Sequence, residues 1–204
     1  MPKKVYPGML QQPTHYGQHA GWDQLPFIFI GVDPGQGGGL AALTMEGTVL
    51  SCTKMPDTER DVWDWFTSVT RGCGRAYGTI EKVHSMPQQG VSSTFKFGVS
   101  YGGLRMALVA AKLIFGEVTP QRWIKGLEIP PRKPHRSTKQ IQYTKGKNKG
   151  KWHEVKYGGE TGSEWKNRLK AKAQQLFPQE KVTLATADAL LIAEYCRRIN
   201  ISRI

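Results

Sequence analysis

Three acidic residues stand where folding rules place apolar or neutral ones, and together they are the part of this chain best suited to do chemistry. Asp33 closes the apolar run Phe27-Ile28-Phe29-Ile30-Gly31-Val32 and opens a turn, Pro34-Gly35-Gln36-Gly37-Gly38-Gly39. Glu81 interrupts Thr79-Ile80-Glu81-Lys82-Val83, and Asp188 starts the segment Ala189-Leu190-Leu191-Ile192-Ala193. A carboxylate on a core element costs desolvation energy unless something positive meets it, and a shared divalent cation is the commonest answer. Each residue also has an ordinary explanation: a turn former at Asp33, an edge-strand charge at Glu81, a helix N-cap at Asp188. Any one of these is acceptable alone, but three in one chain argue for a common site, and the implied chemistry is metal-dependent phosphodiester hydrolysis.

The elements that must position these carboxylates follow from periodicity. Strands at 27–33, 38–45 and 48–54, joined by the glycine turn and by Glu46-Gly47, predict a three-stranded antiparallel meander. Val62, Trp65, Phe66 and Val69 predict a helix that ends before Gly72 and Gly74, and residues 77–83 then predict the strand that carries Glu81. A longer helix is expected from Ser92 or Thr94 to Leu113, with Phe95, Val99, Leu104, Leu108 and Ala111 on one face. Its Gly98, Gly102 and Gly103 each cost roughly 1 kcal/mol relative to alanine, which suggests tight helix–sheet packing or the close approach of another backbone or ligand. Glu117-Val118-Thr119 precedes Pro120 at the start of a short helix through Trp123. Ser163 is the expected cap of a helix to about Phe177, and the last helix is expected to run from Thr186 or Ala187 to about Arg198.

Charge names the partner. The chain has 29 Lys+Arg against 16 Asp+Glu, a formal net charge of +13, and such an excess favours a polyanion such as nucleic acid or an anionic membrane. Arg132 to Lys172 holds 13 Lys/Arg and 3 Glu, most of that excess. Within it, alternating residues flank Gly146-Lys147-Asn148-Lys149-Gly150, predicting a basic β-hairpin inserted at 130–160. Tyr143, Trp152, Tyr157 and Trp165 are interleaved with the cations, a pattern that suits base stacking as well as phosphate contact. Residues 1–25 are broken by Pro and Gly and read as an irregular arm, leaving 26–204 as one domain. Cys52, Cys73 and Cys196 are odd in number and widely spaced, so they suggest neither a disulfide framework nor a zinc site. No apolar run approaches the ~20 residues that span a bilayer, and the first residues lack a secretory apolar core. The expected setting is therefore cytoplasmic or nucleoid-associated (the host cytoplasm, if phage-encoded), with no membrane partner and no secretion.

The order of these elements resembles the RNase H-like fold. Four segments make the resemblance specific: Ile30-Gly31-Val32-Asp33-Pro34-Gly35; Ile80-Glu81-Lys82-Val83; Ser93-Thr94-Phe95-Lys96-Phe97-Gly98 with Tyr101-Gly102-Gly103; and Ala187-Asp188-Ala189-Leu190-Leu191-Ile192-Ala193. In that order they resemble the RuvC-type Holliday junction resolvases over residues 27–127 and 163–198, with the arm and the hairpin outside the match. The resemblance implies an α/β fold with a mixed sheet flanked by helices. It also implies two Mg²⁺ or Mn²⁺ ions roughly 4 Å apart that hydrolyse a phosphodiester, one activating water and the other stabilising the leaving oxygen. Asp33 is then the bridging ligand, Glu81 and Asp188 each support one ion, and all three are catalytic. The implied partner is a four-way or otherwise branched DNA cut by a homodimer, since paired cuts across a pseudo-twofold junction suit a twofold pair of sites. The helix from Phe95 to Leu113, with Val99, Met106 and Val109, is the expected interface.

Residues expected to contact DNA are Lys96, Lys133, Arg136, Lys145, Lys147, Lys149, Lys151, Lys166, Lys170 and His84. The chain departs from the family's pattern in two places. One helical turn before the last aspartate the family usually has a second metal ligand, and here that position is Ala185; water or a lysine such as Lys181 would have to stand in, or the site is silenced. Three residues after the strand carboxylate, where the family often carries a junction-wedging aromatic, this chain has His84, leaving Phe95 or Phe97 for that role. The alternatives are a junction-binding protein without catalysis, an RNase H-like nuclease acting on RNA or flaps, and a sugar-kinase-like phosphate binder, the last disfavoured by the absence of a second glycine-rich loop.

Overall fold

The structure, a computed structural model, describes residues 26–83, 90–135 and 137–202. The N-terminal arm, His84 and Arg136 lie outside the described residues. Five strands form one mixed sheet: β1 (Phe27–Asp33), β2 (Gly39–Thr44), β3 (Val49–Lys54), β4 (Arg75–Glu81) and β5 (Ile114–Val118), in spatial order β3-β2-β1-β4-β5. The meander is antiparallel as expected, whereas β4 runs parallel to β1 and β5 parallel to β4. Glu81 therefore lies on an interior strand, and an edge-strand charge does not explain it.

Helices α1 (Glu59–Thr70) and α2 (Val91–Ala110) cover one face of the sheet; α3 (Pro120–Gly126), α4 (Gly162–Leu176) and α5 (Leu184–Ile201) cover the other. Sheet residues divide by parity. Ile28, Ile30, Val32, Leu40 and Ala42 pack toward α1 and α2, while Ala41 and Leu43 pack toward α5. Burial on both faces is why β1 reads as an unbroken apolar run and not as an alternation. The tightest contact is at Gly31, where a Cβ would lie 2.2 Å from the carbonyl oxygen of Ala189 and 2.2 Å from the backbone nitrogen of Ala193. Only a residue without a side chain lets α5 lie so closely across β1.

Several boundaries differ from the sequence reading. The last helix starts at Leu184, because Thr183 and Thr186 form a reciprocal cap; Asp188 is thus inside the helix and is not its N-cap. Thr161, not Ser163, caps α4, in a capping box closed by Glu164. The long helix stops at Ala110, and the chain turns through Lys112 at φ 58° into β5. Its expected apolar face divides as well: Leu104 and Leu108 are buried, but Phe95 and Val99 face solvent. Gly98 and Gly102 have open space where a Cβ would sit, so they do not mediate helix–sheet packing. The inserted hairpin is present as β6 (Ser137–Gln142) paired antiparallel with β7 (Trp152–Tyr157), a separate two-stranded ribbon.

Candidate active site

Strand register assembles the first half of the site. Val32 pairs with Ile80 in the parallel β1–β4 ladder, so the next residues, Asp33 and Glu81, sit side by side at the carboxyl ends of adjacent strands. By parity both face the side covered by α5. The carboxyl edge of parallel strands is where open α/β sheets present their ligand sites. The turn after Asp33 is compact for a steric reason: a Cβ on Gly38 would meet the Asp33 carbonyl oxygen at 2.1 Å, and one on Gly39 would meet the Ala185 carbonyl oxygen at 2.6 Å. The glycines therefore bring the start of α5 against the end of β1. That contact delivers Asp188, one turn further along α5, to the same place.

The three carboxylates feel one another. Burial, then the charges of Asp188 and Glu81, push the Asp33 carboxyl from an ordinary 3.8 up to about 8, with Lys166 opposing. Burial also raises Glu81, against a hydrogen bond donated by the Trp123 indole Nε1–H to Glu81 Oε2 at 2.8 Å. The Lys166 ammonium, reaching in from α4, donates to Asp188 Oδ2. Burial works against that ammonium, but the nearby carboxylates outweigh it and its pKa is raised. The other Asp188 oxygen, Oδ1, is buried with no hydrogen-bond partner among the described residues.

This donor set suits a hard divalent cation, with all-oxygen ligands, one buried carboxylate oxygen lacking a donor, and burial and like charges together pushing one carboxyl toward neutrality. As placed, no three His, Cys, Asp or Glu side chains among the described residues are grouped tightly enough to hold a metal ion. The positive charge at the cluster is Lys166. Lys166 therefore meets Asp188 directly, whereas Lys181, the lysine that the sequence suggested as a stand-in, is exposed. Ala185 is partly buried in the first turn of α5, three residues before Asp188 and on the same side of the helix.

The remaining cations are spread over a wide surface. Lys96 is exposed on α2, and Lys170 is half-buried one turn beyond Lys166 on α4. Lys133 is exposed, and its backbone N–H donates to Glu160 Oε2 at 3.3 Å. Lys145, Lys147, Lys149 and Lys151 are all exposed on the turn of the ribbon. Phe97 packs beside Gly35 in the turn that follows Asp33, while Phe95 projects into solvent, 72 % exposed, so the helix-core explanation fails for Phe95. Sequence reasoning missed Trp123 as the donor that holds Glu81, and no spacing signal pointed to it.

Sheet order 3-2-1-4-5, an antiparallel meander followed by parallel strands, and helices on both faces give a mixed α/β fold that matches the RNase H-like fold of solved RuvC structures. Among solved structures, this chain is similar to Thermus thermophilus RuvC in complex with a Holliday junction substrate, at TM-score 0.53 and 13% identity over 86% of this chain and 97% of that one. It is similar to a second Thermus thermophilus RuvC structure at TM-score 0.51 and 14% identity, over 85% of this chain and 97% of that one. No family model matches the chain, and no curated protein matches it.

Proposed function

We propose that this protein is a metal-dependent endonuclease of branched DNA, and more finely a Holliday junction resolvase. The observation that carries the reading is the convergence of Asp33, Glu81 and Asp188 from two parallel strand ends and a crossing helix, with the Asp33 carboxyl pushed to about 8, in a fold shared with a structure solved on a Holliday junction. Asp33, Glu81 and Asp188 are the residues that would hold Mg²⁺ or Mn²⁺. When bound, such ions lower the pKa of water and neutralise charge on the phosphate in flight. The chain's own residues do the rest. Trp123 fixes the Glu81 carboxylate, Lys166 supplies a cation at the cluster that a scissile phosphate can meet, and the closed glycine turn holds Asp33 in register.

The net charge of +13 supports DNA as the partner. A homodimer is supported by α2, whose Val91, Phe95, Val99, Met106 and Val109 form an exposed apolar stripe, with Gly98 and Gly102 open beside it. A contiguous exposed apolar stripe suits a protein contact, and a twofold axis through α2 would pair two sites for two cuts. Phe97, which lies beside Gly35 in the turn after Asp33, is the aromatic that would act on the branch point, while Phe95 belongs to the stripe. Among the described residues no helix is long and apolar enough to cross a membrane; a nuclease of branched DNA would work in the cytoplasm or on the nucleoid.

A second reading, junction binding without cleavage, draws on Ala185 and on the loosely gathered carboxylates. One experiment separates the two: incubate the protein with a four-way junction, a linear duplex and an RNA–DNA hybrid in Mg²⁺ and in Mn²⁺, beside Asp33→Asn and Glu81→Gln. Paired symmetric nicks in the junction, lost in both variants while junction binding persists, are expected. Binding without nicks in either metal would leave the binding-only reading, and cleavage of the hybrid alone would make the protein a ribonuclease.

A further inference from the structure

The β6–β7 ribbon is poorly explained by the fold that carries it. A lone two-stranded hairpin is marginal in water, and this one belongs to neither of the two core clusters. Its two faces differ. On one, Lys139, Ile141 and Tyr143 meet His153, Val155 and Tyr157; the Tyr143 ring stacks on His153 with centroids 3.9 Å apart, and the Lys139 ammonium lies 5.7 Å from the Tyr157 ring centroid. That face holds the ribbon together. On the other, Trp152 stands opposite Gln142 with two-thirds of its surface in water, 66 % exposed. Gln142 turns its amide away to donate to the Gly150 carbonyl at 2.7 Å, leaving the indole face open. Immediately beside it the turn carries Lys145, Lys147, Lys149 and Lys151, all exposed, with no acid between them.

An indole held out on this ribbon gains nothing for the fold, and the cations of the adjoining turn fix the sign of what it meets. We propose that Trp152 is a stacking platform for an unpaired base, with the turn lysines holding the phosphates on either side. The ligand is therefore a single-stranded stretch of nucleic acid, bound outside the carboxylate cluster. Aromatic stacking is tolerant of sequence and is lost on truncation to alanine, whereas the lysine contacts depend on salt. The inference rests on the nucleic-acid reading above, but it concerns a different part of the surface and a different assay.

The test measures binding of the full chain, with no metal added, to a fluorescent oligo-dT strand and to a blunt duplex of equal length. Trp152→Ala should weaken binding to the single strand on the order of tenfold and leave the duplex nearly unchanged. Trp152→Phe, which keeps an aromatic face, should restore most of the loss, and because the indole is exposed neither change should lower Tm. Unchanged binding of both ligands by Trp152→Ala would overturn the proposal. So would an equal loss on both, since the ribbon would then be gripping duplex. Metal-dependent junction cleavage is scored separately, so a chain that stacks but does not cut would sink the nuclease reading and leave this one standing.

Discussion

Replacing Asp33 with asparagine should stop cleavage and at the same time stabilise the metal-free protein. The buried Asp33 carboxyl is raised from 3.8 to about 8 by desolvation, Asp188 and Glu81. A group whose folded pKa lies above its unfolded one binds more protons in the folded state, so its contribution to stability is complete below the unfolded value and is lost as pH rises through the folded one. The window here runs from about pH 4 to about pH 8. If the whole difference were realised, the parent would lose an amount on the order of 5 kcal/mol across it; relaxation and water entry should leave ~2 kcal/mol or more. Asparagine has the same size and no charge to desolvate. In EDTA its advantage over the parent should be small at pH 5 and large at pH 8, and for a chain of this length each kcal/mol moves Tm by roughly 2–4 °C. Adding Mn²⁺ at pH 8 should raise the Tm of the parent and not that of the variant, because only the parent keeps the ligand charge. Thermal unfolding at both pH values, with EDTA and with Mn²⁺, decides the matter. Equal Tm for parent and variant at pH 8 in EDTA would refute the claim that burial and acidic neighbours disfavour the Asp33 charge.

Three further outcomes are expected. Gly31→Ala forces a methyl to within 2.2 Å of the α5 backbone and should cost about 3 kcal/mol or more in urea unfolding; an unchanged midpoint would mean that α5 does not lie against β1 as described. Trp123→Phe removes the indole donor that opposes the rise of the Glu81 carboxyl, so the acid limb of the cleavage pH profile should move upward, with junction affinity retained; an unmoved limb would leave Trp123 with packing alone. Ala185→Asp places a fourth carboxylate on the Asp188 face of α5, and should both enlarge the Tm gain from Mn²⁺ and increase Mg²⁺-dependent cleavage. A parent that already cuts at full rate, with no gain from the added acid, would show that the site is complete without a ligand at 185.

Sequence alone determined which residues to watch and the local elements that hold them. The meander, the strand bearing Glu81 and the basic ribbon were legible because short apolar runs, alternation in the ribbon and glycine turns are local signals, with each strand declaring itself within a few residues. The three acids stood out because their chemistry conflicts with their apolar surroundings. Tertiary structure decided what those residues meet. Parallel pairing of β1 with β4 is a contact between distant segments, and it alone brings Asp33 beside Glu81. Capping by Thr183 set the phase of α5, so that Asp188 falls within the helix, and the missing side chain at Gly31 let that helix close on the sheet. Lys166 and Trp123 came to the carboxylates from α4 and α3, and no spacing in the chain encodes those approaches. The same limit explains α2: its apolar residues run around the helix, and only the packed sheet shows that Leu104 and Leu108 are covered while Phe95 and Val99 are left in water.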